Sequence, residues 1–153
     1  MESVELDELA KDVVNNLRDH AEKKNISLDY CGIPINIQGV RHVLYEMLYN
    51  IADNAVRYTN PGGHIHIYVG RKGDRPFYRV EDDGIGIPKS EQKRIFERFY
   101  RVDKSHSRQT GGTGLGLAIT RSMIAMHHGV IKVFSKEGEG TTFSVRVPLS
   151  YIP

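Results

Sequence analysis

Apolar positions along this chain change period several times, and each change marks a new element. In "LDELAKDVVNNLRDHAEKKN", Leu6, Leu9, Val13, Val14 and Leu17 recur at helical spacing before a charged tail, which predicts an amphipathic helix. "ISLDY" and "INIQ" then alternate as two short strands. "GVRHVLYEMLYNIADNAVRYT" returns to the helical period. Its expected core is Val43, Leu44, Met47, Leu48 and Ile51, and the turn "NPGG" closes it. "HIHIYVG" and "FYRVEDD" alternate on either side of "RKGDRP" and predict an antiparallel pair. "IPKSEQKRIFERFYR" opens a short helix, with Ser90 as N-cap and Glu91 near the positive end of the dipole. "VDKSHSRQTGG" has no period and reads as a mobile loop. "LGLAITRSMIAMHHG" is a third long helix stopped by Gly129, and "VIKVFS", "KEGEG" and "TTFSVRV" make a closing hairpin.

The order αββαββ(α)αββ is neither a βα alternation nor an all-β pattern. It predicts an α+β fold: a two-layer α/β sandwich, with a mixed sheet carrying three main helices on one face. No repeat or linker interrupts the 153 residues, and 39% apolar content suffices for one domain with a real core.

Composition mainly removes alternatives. No run approaches the roughly 18 apolar residues of a membrane span, and the acidic start "MESVELDELAKD" does not read as a signal peptide. The single Cys31 excludes an internal disulfide and a zinc knuckle, so a reducing, cytoplasmic setting is the simpler expectation. A net charge of +2 gives no reason to expect nucleic acid, and no membrane contact is expected of this domain.

Two amides disturb the second helix. Asn50 and Asn54 lie in an otherwise apolar run, although Asn favours caps and a buried amide needs partners. At about 100° per residue, Glu46, Asn50, Asn54 and Arg57 share one side of the helix. They either face solvent or form a ligand edge. An amide oxygen suits Mg²⁺, and a guanidinium suits phosphate.

Two glycine clusters, "DDGIGI" and "GGTGLGL", are either loops needing positive φ or binding elements. The second lacks both the dinucleotide spacing and the P-loop ending. It does lead straight into a helix, whose free N–H groups and dipole favour an anion. Asp82 ends a strand just before the first cluster. Its acceptor-only carboxylate would take a hydrogen bond from the amino group of adenine and would meet a carbonyl oxygen on guanine. Taken alone, it is equally a turn Asp.

In order, "NIADNAVRYT", "VEDDGIGI", "IFERFYR", "GTGLGLAI" and the turn "GEGTTF" resemble the ATP-binding catalytic domain of bacterial sensor histidine kinases. That family belongs to the superfamily that includes gyrase, the heat-shock chaperone ATPases and the mismatch-repair ATPases. The resemblance covers Gly39 to Pro148, and more weakly the residues before. It implies a Bergerat-type fold, ATP and Mg²⁺ as cofactors, and donation of the γ-phosphoryl group to a histidine on a separate dimerisation domain, which this chain is expected to lack. The implied partners are the dimerisation and phosphoacceptor helices of the same parent kinase and, indirectly, a response regulator. The resemblance further implies that this domain is cytoplasmic and that its parent protein is a membrane-bound sensor.

Position by position, the resemblance implies that Asn54 is the metal ligand and that Asn50 supports the metal or phosphates. Arg57 and Arg101 would contact phosphate, completing the catalytic set. Tyr58 would lie against adenine, Asp82 would read it, and Gly84, Gly86 and Ile87 would shape its pocket. Tyr100, Gly112, Thr113, Gly114, Leu115, Gly116, Leu117 and Thr142 would complete the nucleotide contacts. Phe96 and Phe99 would anchor an ATP lid over residues 96–113. The chain departs from the family pattern at Val40 (usually Asp), Arg57 (usually Lys) and His128 (commonly a second Gly).

Superfamily ATPases place a water-activating Glu four residues before the metal Asn. Here that position is Asn50, which cannot act as a base, so the resemblance favours a kinase over an ATPase or an anti-sigma serine kinase. A non-catalytic nucleotide-binding module is the remaining alternative. None of the seven His residues stands in the family's phosphoacceptor setting, and all seven read as structural or surface residues. The fragment is expected to bind ATP without phosphorylating itself.

Overall fold

A computed structural model describes residues 2–92, 94–96 and 116–148. The elements are β1 (Glu2–Glu5), α1 (Leu6–Lys23), β2 (Ser27–Gly32), β3 (Asn36–Gly39), α2 (Arg41–Tyr58), β4 (His64–Lys72), β5 (Arg75–Asp82), a 3₁₀ turn (Lys89–Glu91), α3 (Gly116–Met126), β6 (Val130–Lys136) and β7 (Gly140–Arg146). Five strands form one mixed sheet in the order β2-β4-β5-β7-β6, with β2 and β4 parallel and the other neighbours antiparallel. β1 and β3 form a separate antiparallel pair.

The sandwich follows from side-chain alternation. Ile65, Ile67 and Val69 of β4, Tyr78 and Val80 of β5, and Phe143 and Val145 of β7 are buried on one face. Against them lie the apolar stripes of the helices, with α2 packed against both α1 and α3. The Tyr78 hydroxyl, buried in this layer, donates to the Leu48 carbonyl at 3.0 Å, so its one polar atom is satisfied. Gly73, at φ +62°, occupies the place that a two-residue II′ turn reserves for glycine between β4 and β5.

The helix ends explain two of the departures. At the end of α3 the N–H of Gly129 reaches the Ile124 carbonyl (2.9 Å) and that of His128 the Ala125 carbonyl (3.0 Å). This is a Schellman closure, and its left-handed residue is His128, at φ +58°. Gly129 was expected to be the stop for its conformation. It is needed instead for space, because an added Cβ would sit 2.6 Å from the Arg146 carbonyl oxygen. Val40, at the N-cap of α2, makes no side-chain capping bond; its backbone N–H donates to Nε2 of buried His127 at 3.1 Å. The other ring nitrogen of His127 lies 2.9 Å from the Met123 carbonyl, which fixes the proton on Nδ1. At the opposite end of α2, Lys24 Nζ caps the Val56 and Arg57 carbonyls at 2.8 and 3.1 Å.

Three expectations need correction. β1 was not anticipated, because it exists only through pairing with β3. Ser90 is not an N-cap: it lies inside the 3₁₀ turn, whose N-cap is Pro88 and makes no side-chain bond. Val43 is half-buried, whereas Leu44, Met47, Leu48 and Ile51 are core. The segment "VDKSHSRQTGG" lies outside the described residues.

Candidate functional site

The loop after β5 is fastened on two sides by backbone contacts that only glycine allows. On one side it meets the last turn of α2. The Ile85 N–H donates to the Tyr58 carbonyl at 3.1 Å, and a Cβ on Gly84 would sit 2.3 Å from that same oxygen. On the other side it meets the β6–β7 hairpin. The Gly138 N–H donates to the Ile85 carbonyl at 2.8 Å, and a Cβ on Gly86, at φ +71°, would sit 2.2 Å from the Lys136 carbonyl oxygen. Ser135 completes the join, since its Oγ accepts from the Ile87 N–H at 2.8 Å and donates to the Gly140 carbonyl at 2.9 Å.

Asp82 stands where the three elements meet. Its Oδ1 accepts the Gly84 N–H (2.9 Å) and the Thr141 N–H (3.3 Å). Both hydrogen bonds fall on that one oxygen, so Oδ2 keeps its acceptor capacity. Burial pushes the carboxyl up to about 6, against the pull of those two N–H bonds and with a further push from Asp83. The neighbouring Asp83 behaves oppositely. Its small burial would raise it, but the His64 backbone N–H (2.7 Å) and ring nitrogen (2.9 Å) hold its carboxyl below the usual range. Asp82 is reserved and Asp83 is spent.

The polar edge of α2 runs up from the same place. Asn54 is half-buried and makes no side-chain hydrogen bond among the described residues. It lies one turn, about 6 Å, from Tyr58, whose carbonyl holds the Asp82 loop. Asn50 donates through Nδ2 to Oγ1 of fully buried Thr120 on α3 at 3.3 Å. The Arg57 Nε lies 2.9 Å from Asp53 Oδ2, and Asp53 in turn faces His20 of α1.

Residues 39–151 match the family of histidine kinase-, DNA gyrase B- and HSP90-like ATPases. The chain belongs to this family. Among its relatives, the sensor-like histidine kinase SenX3 of Mycolicibacterium smegmatis is 36% identical over 149 residues, covering 97% of this chain and 39% of SenX3. The sensor histidine kinase WalK of Bacillus subtilis is 46% identical over 105 residues, covering 67% of this chain and 17% of WalK. The chain thus spans well under half of these relatives. Among solved structures, the mycobacterial sensor histidine kinase MprB superposes with a TM-score of 0.84 at 25% identity, over 99% of both chains. The catalytic domain of histidine kinase ThkA gives 0.84 at 26%, over 98% of this chain and 97% of that one. The mixed five-stranded sheet with three helices is therefore the fold of histidine kinase catalytic domains.

Membership of the ATPase family carries ATP binding with it, and the expected site residues do not all fall in one place. Asn54, Tyr58, Asp82, Gly84, Gly86 and Ile87 are brought together by α2 and the β5 loop. Asn50 joins α2 to α3, near whose start lie Gly116 and half-buried Leu117. Arg57 is turned to Asp53 and α1, in an ion pair that the expected phosphate contact would have to share. Thr142 requires correction. It points to the opposite face of the sheet, where it lines a groove with Glu81 and Phe134. The residue at the carboxylate is its neighbour Thr141, buried, with its hydroxyl 2.8 Å from Ser135. Tyr100, Arg101, Gly112, Thr113, Gly114 and Leu115 lie outside the described residues, as do Phe99 and the lid beyond Phe96. Phe96 packs against the core with the Arg121 guanidinium 5.6 Å from its ring. Ser135 and Thr141 were missed, and only the cross-strand register would have found them. Among the described residues no helix is long and apolar enough to cross a membrane, and no cluster of three His, Cys, Asp or Glu could hold a metal.

Proposed function

We propose that this domain binds Mg²⁺-ATP between the Asp82 loop and the polar edge of α2, and presents the γ-phosphoryl group to a histidine on the dimerisation helices of the same parent kinase. A response regulator would then receive the phosphoryl group indirectly. The observation that carries the reading is the half-engaged carboxylate of Asp82, backed onto the last turn of α2 and one helical turn from the unpartnered amide of Asn54.

Each residue has a distinct task. Asp82 Oδ2 accepts from the exocyclic amino group of adenine, while Oδ1 stays anchored by two backbone N–H groups. A keto group at the same place would leave the carboxylate facing another acceptor, which selects against guanine. Asn54 is the fitting metal ligand. An acid cluster is absent among the described residues, a neutral amide oxygen is free of internal partners, and Mg²⁺ is content with one protein ligand beside water and phosphate oxygens. When bound, Mg²⁺ neutralises charge on the phosphate oxygens. Asn50 cannot abstract a proton, and its amide is engaged with Thr120. Water is therefore not activated from position 50, and the phosphoryl group is kept for a protein acceptor. Arg57, and Arg101 from outside the described residues, supply cationic contacts to the phosphates.

The test is to mix the purified domain and ATP with a separately made dimerisation domain carrying the acceptor histidine. Labelled phosphate should appear on the added histidine and not on this chain, with little free phosphate released. Steady hydrolysis without transfer would favour an ATPase; tight ATP binding with neither would favour a regulatory module.

A further inference from the structure

The face of the sheet turned away from the helices carries a groove of about 310 Å³ that the nucleotide reading does not use. Its cations are Lys72, Arg75, Arg79 and Arg146, and its aromatic walls are Phe77 and Phe134. Glu81 is the single carboxylate, and it is held by Arg79 at 3.3 Å. The other three cations make no ion pair among the described residues. The groove's positive surplus is larger than the +2 of the whole chain, so the rest of the protein is net acidic. Strand register aligns the parts in rows: Phe134, Thr142 and Glu81 across one, Val130, Arg146 and Phe77 across another. Phe134 is 60% exposed and Val130 is 54% exposed on the outermost strand of the described sheet, on the same face as the exposed Lys132 between them.

We propose that this groove is a docking surface for an acidic protein segment bearing an aromatic or aliphatic side chain. Carboxylates of the segment pair with Lys72, Arg75 and Arg146. An apolar side chain lies against Phe134, a contact that a purely ionic partner would waste. The hydroxyls of Thr142 and Ser144 along the floor meet backbone amides of the segment. Electrostatic complementarity of this kind sets partner choice and encounter rate, and a buried aromatic supplies the anchor.

The probe is a fluorescein-labelled peptide of Glu and Asp with a central Phe, titrated with the full chain at low and at physiological salt. Binding should be detectable and should weaken with salt. The double variant Arg75→Glu/Arg146→Glu should lose roughly tenfold or more in affinity, and Phe134→Ser several-fold without changing the salt dependence. ATP affinity should be unchanged in all of them, because the groove lies on the other side of the sheet from Asp82. Should the double variant fail to fold by circular dichroism, Lys72→Glu at the exposed hairpin end carries the same test. Undiminished peptide binding by the reversed variants overturns the proposal. So does tighter binding of oligo-dT or of phosphatidylglycerol vesicles than of the peptide, or groove-dependent dimerisation in the ultracentrifuge with no peptide binding.

Discussion

The two halves of the proposed nucleotide site are built in opposite ways. The Asp82 loop is held by main-chain hydrogen bonds and by glycines against carbonyl oxygens on both sides, so its geometry is set before any ligand arrives. The edge of α2 is held by side chains alone: one amide to Thr120, one guanidinium to Asp53, and Asn54 held by neither. On the proposed reading, recognition of the base is preorganised, while the phosphate end keeps side chains that must exchange partners. The function proposed above, gripping a base and passing on a phosphoryl group, calls for that asymmetry.

The sharpest way to break the contrast is Gly86→Ala. It combines a left-handed backbone with a Cβ 2.2 Å from a carbonyl oxygen, and should destabilise the fold by about 3 kcal/mol. Thermal unfolding measures this, and a loss below about 1 kcal/mol would show that the loop is not rigid.

Asp82→Asn should act in two directions. Its carboxyl stands at about 6 in the fold, above the usual value of about 3.9. The folding free energy it provides is therefore full below pH of about 4 and is lost as pH rises through about 6. The amide variant should raise the stability of the ligand-free domain at neutral pH by on the order of 2 kcal/mol, while ATP binding falls by about 1–3 kcal/mol. Denaturant titration and calorimetry read the two effects separately. Between pH 7 and 5 the wild type should lose ATP affinity as the carboxylate is protonated, and the part of that loss due to Asp82 should be missing in the variant. Parallel pH profiles would remove Asp82 from the base contact.

Asn54→Ala should leave stability within about 0.5 kcal/mol of wild type, since no internal bond is lost. The Mg²⁺-dependent part of ATP binding should vanish, and binding in EDTA should persist. Equal losses with and without Mg²⁺ would show that the two ends of the site are not separate.

Much of the fold was legible because it rests on period. The helical stripes of α1 and α2 and the alternation of β4, β5 and β7 are local signals, and the family motifs located the Asp82 loop. What was not legible depends on partners distant in sequence. Glu2–Glu5 has no strand signal of its own and becomes β1 only beside Asn36–Gly39. Thr142 was chosen over Thr141 without the register, and in a strand a shift of one residue exchanges the two faces. The diversion of Arg57 to Asp53 depends on how α1 lies on α2, which no motif encodes. The family pattern marks position 40 only as a place where Asp is usual. It gives no hint that His127, at the far end of another helix, takes the N–H there.

Both α1 and α3 finish on a left-handed residue that is not glycine: Asn25 and His128, each at φ 58°. Neither lies among the nucleotide contacts. Glycine at position 25 would relax the backbone away from the proposed site, so thermal tolerance in this domain has headroom that nucleotide handling does not constrain.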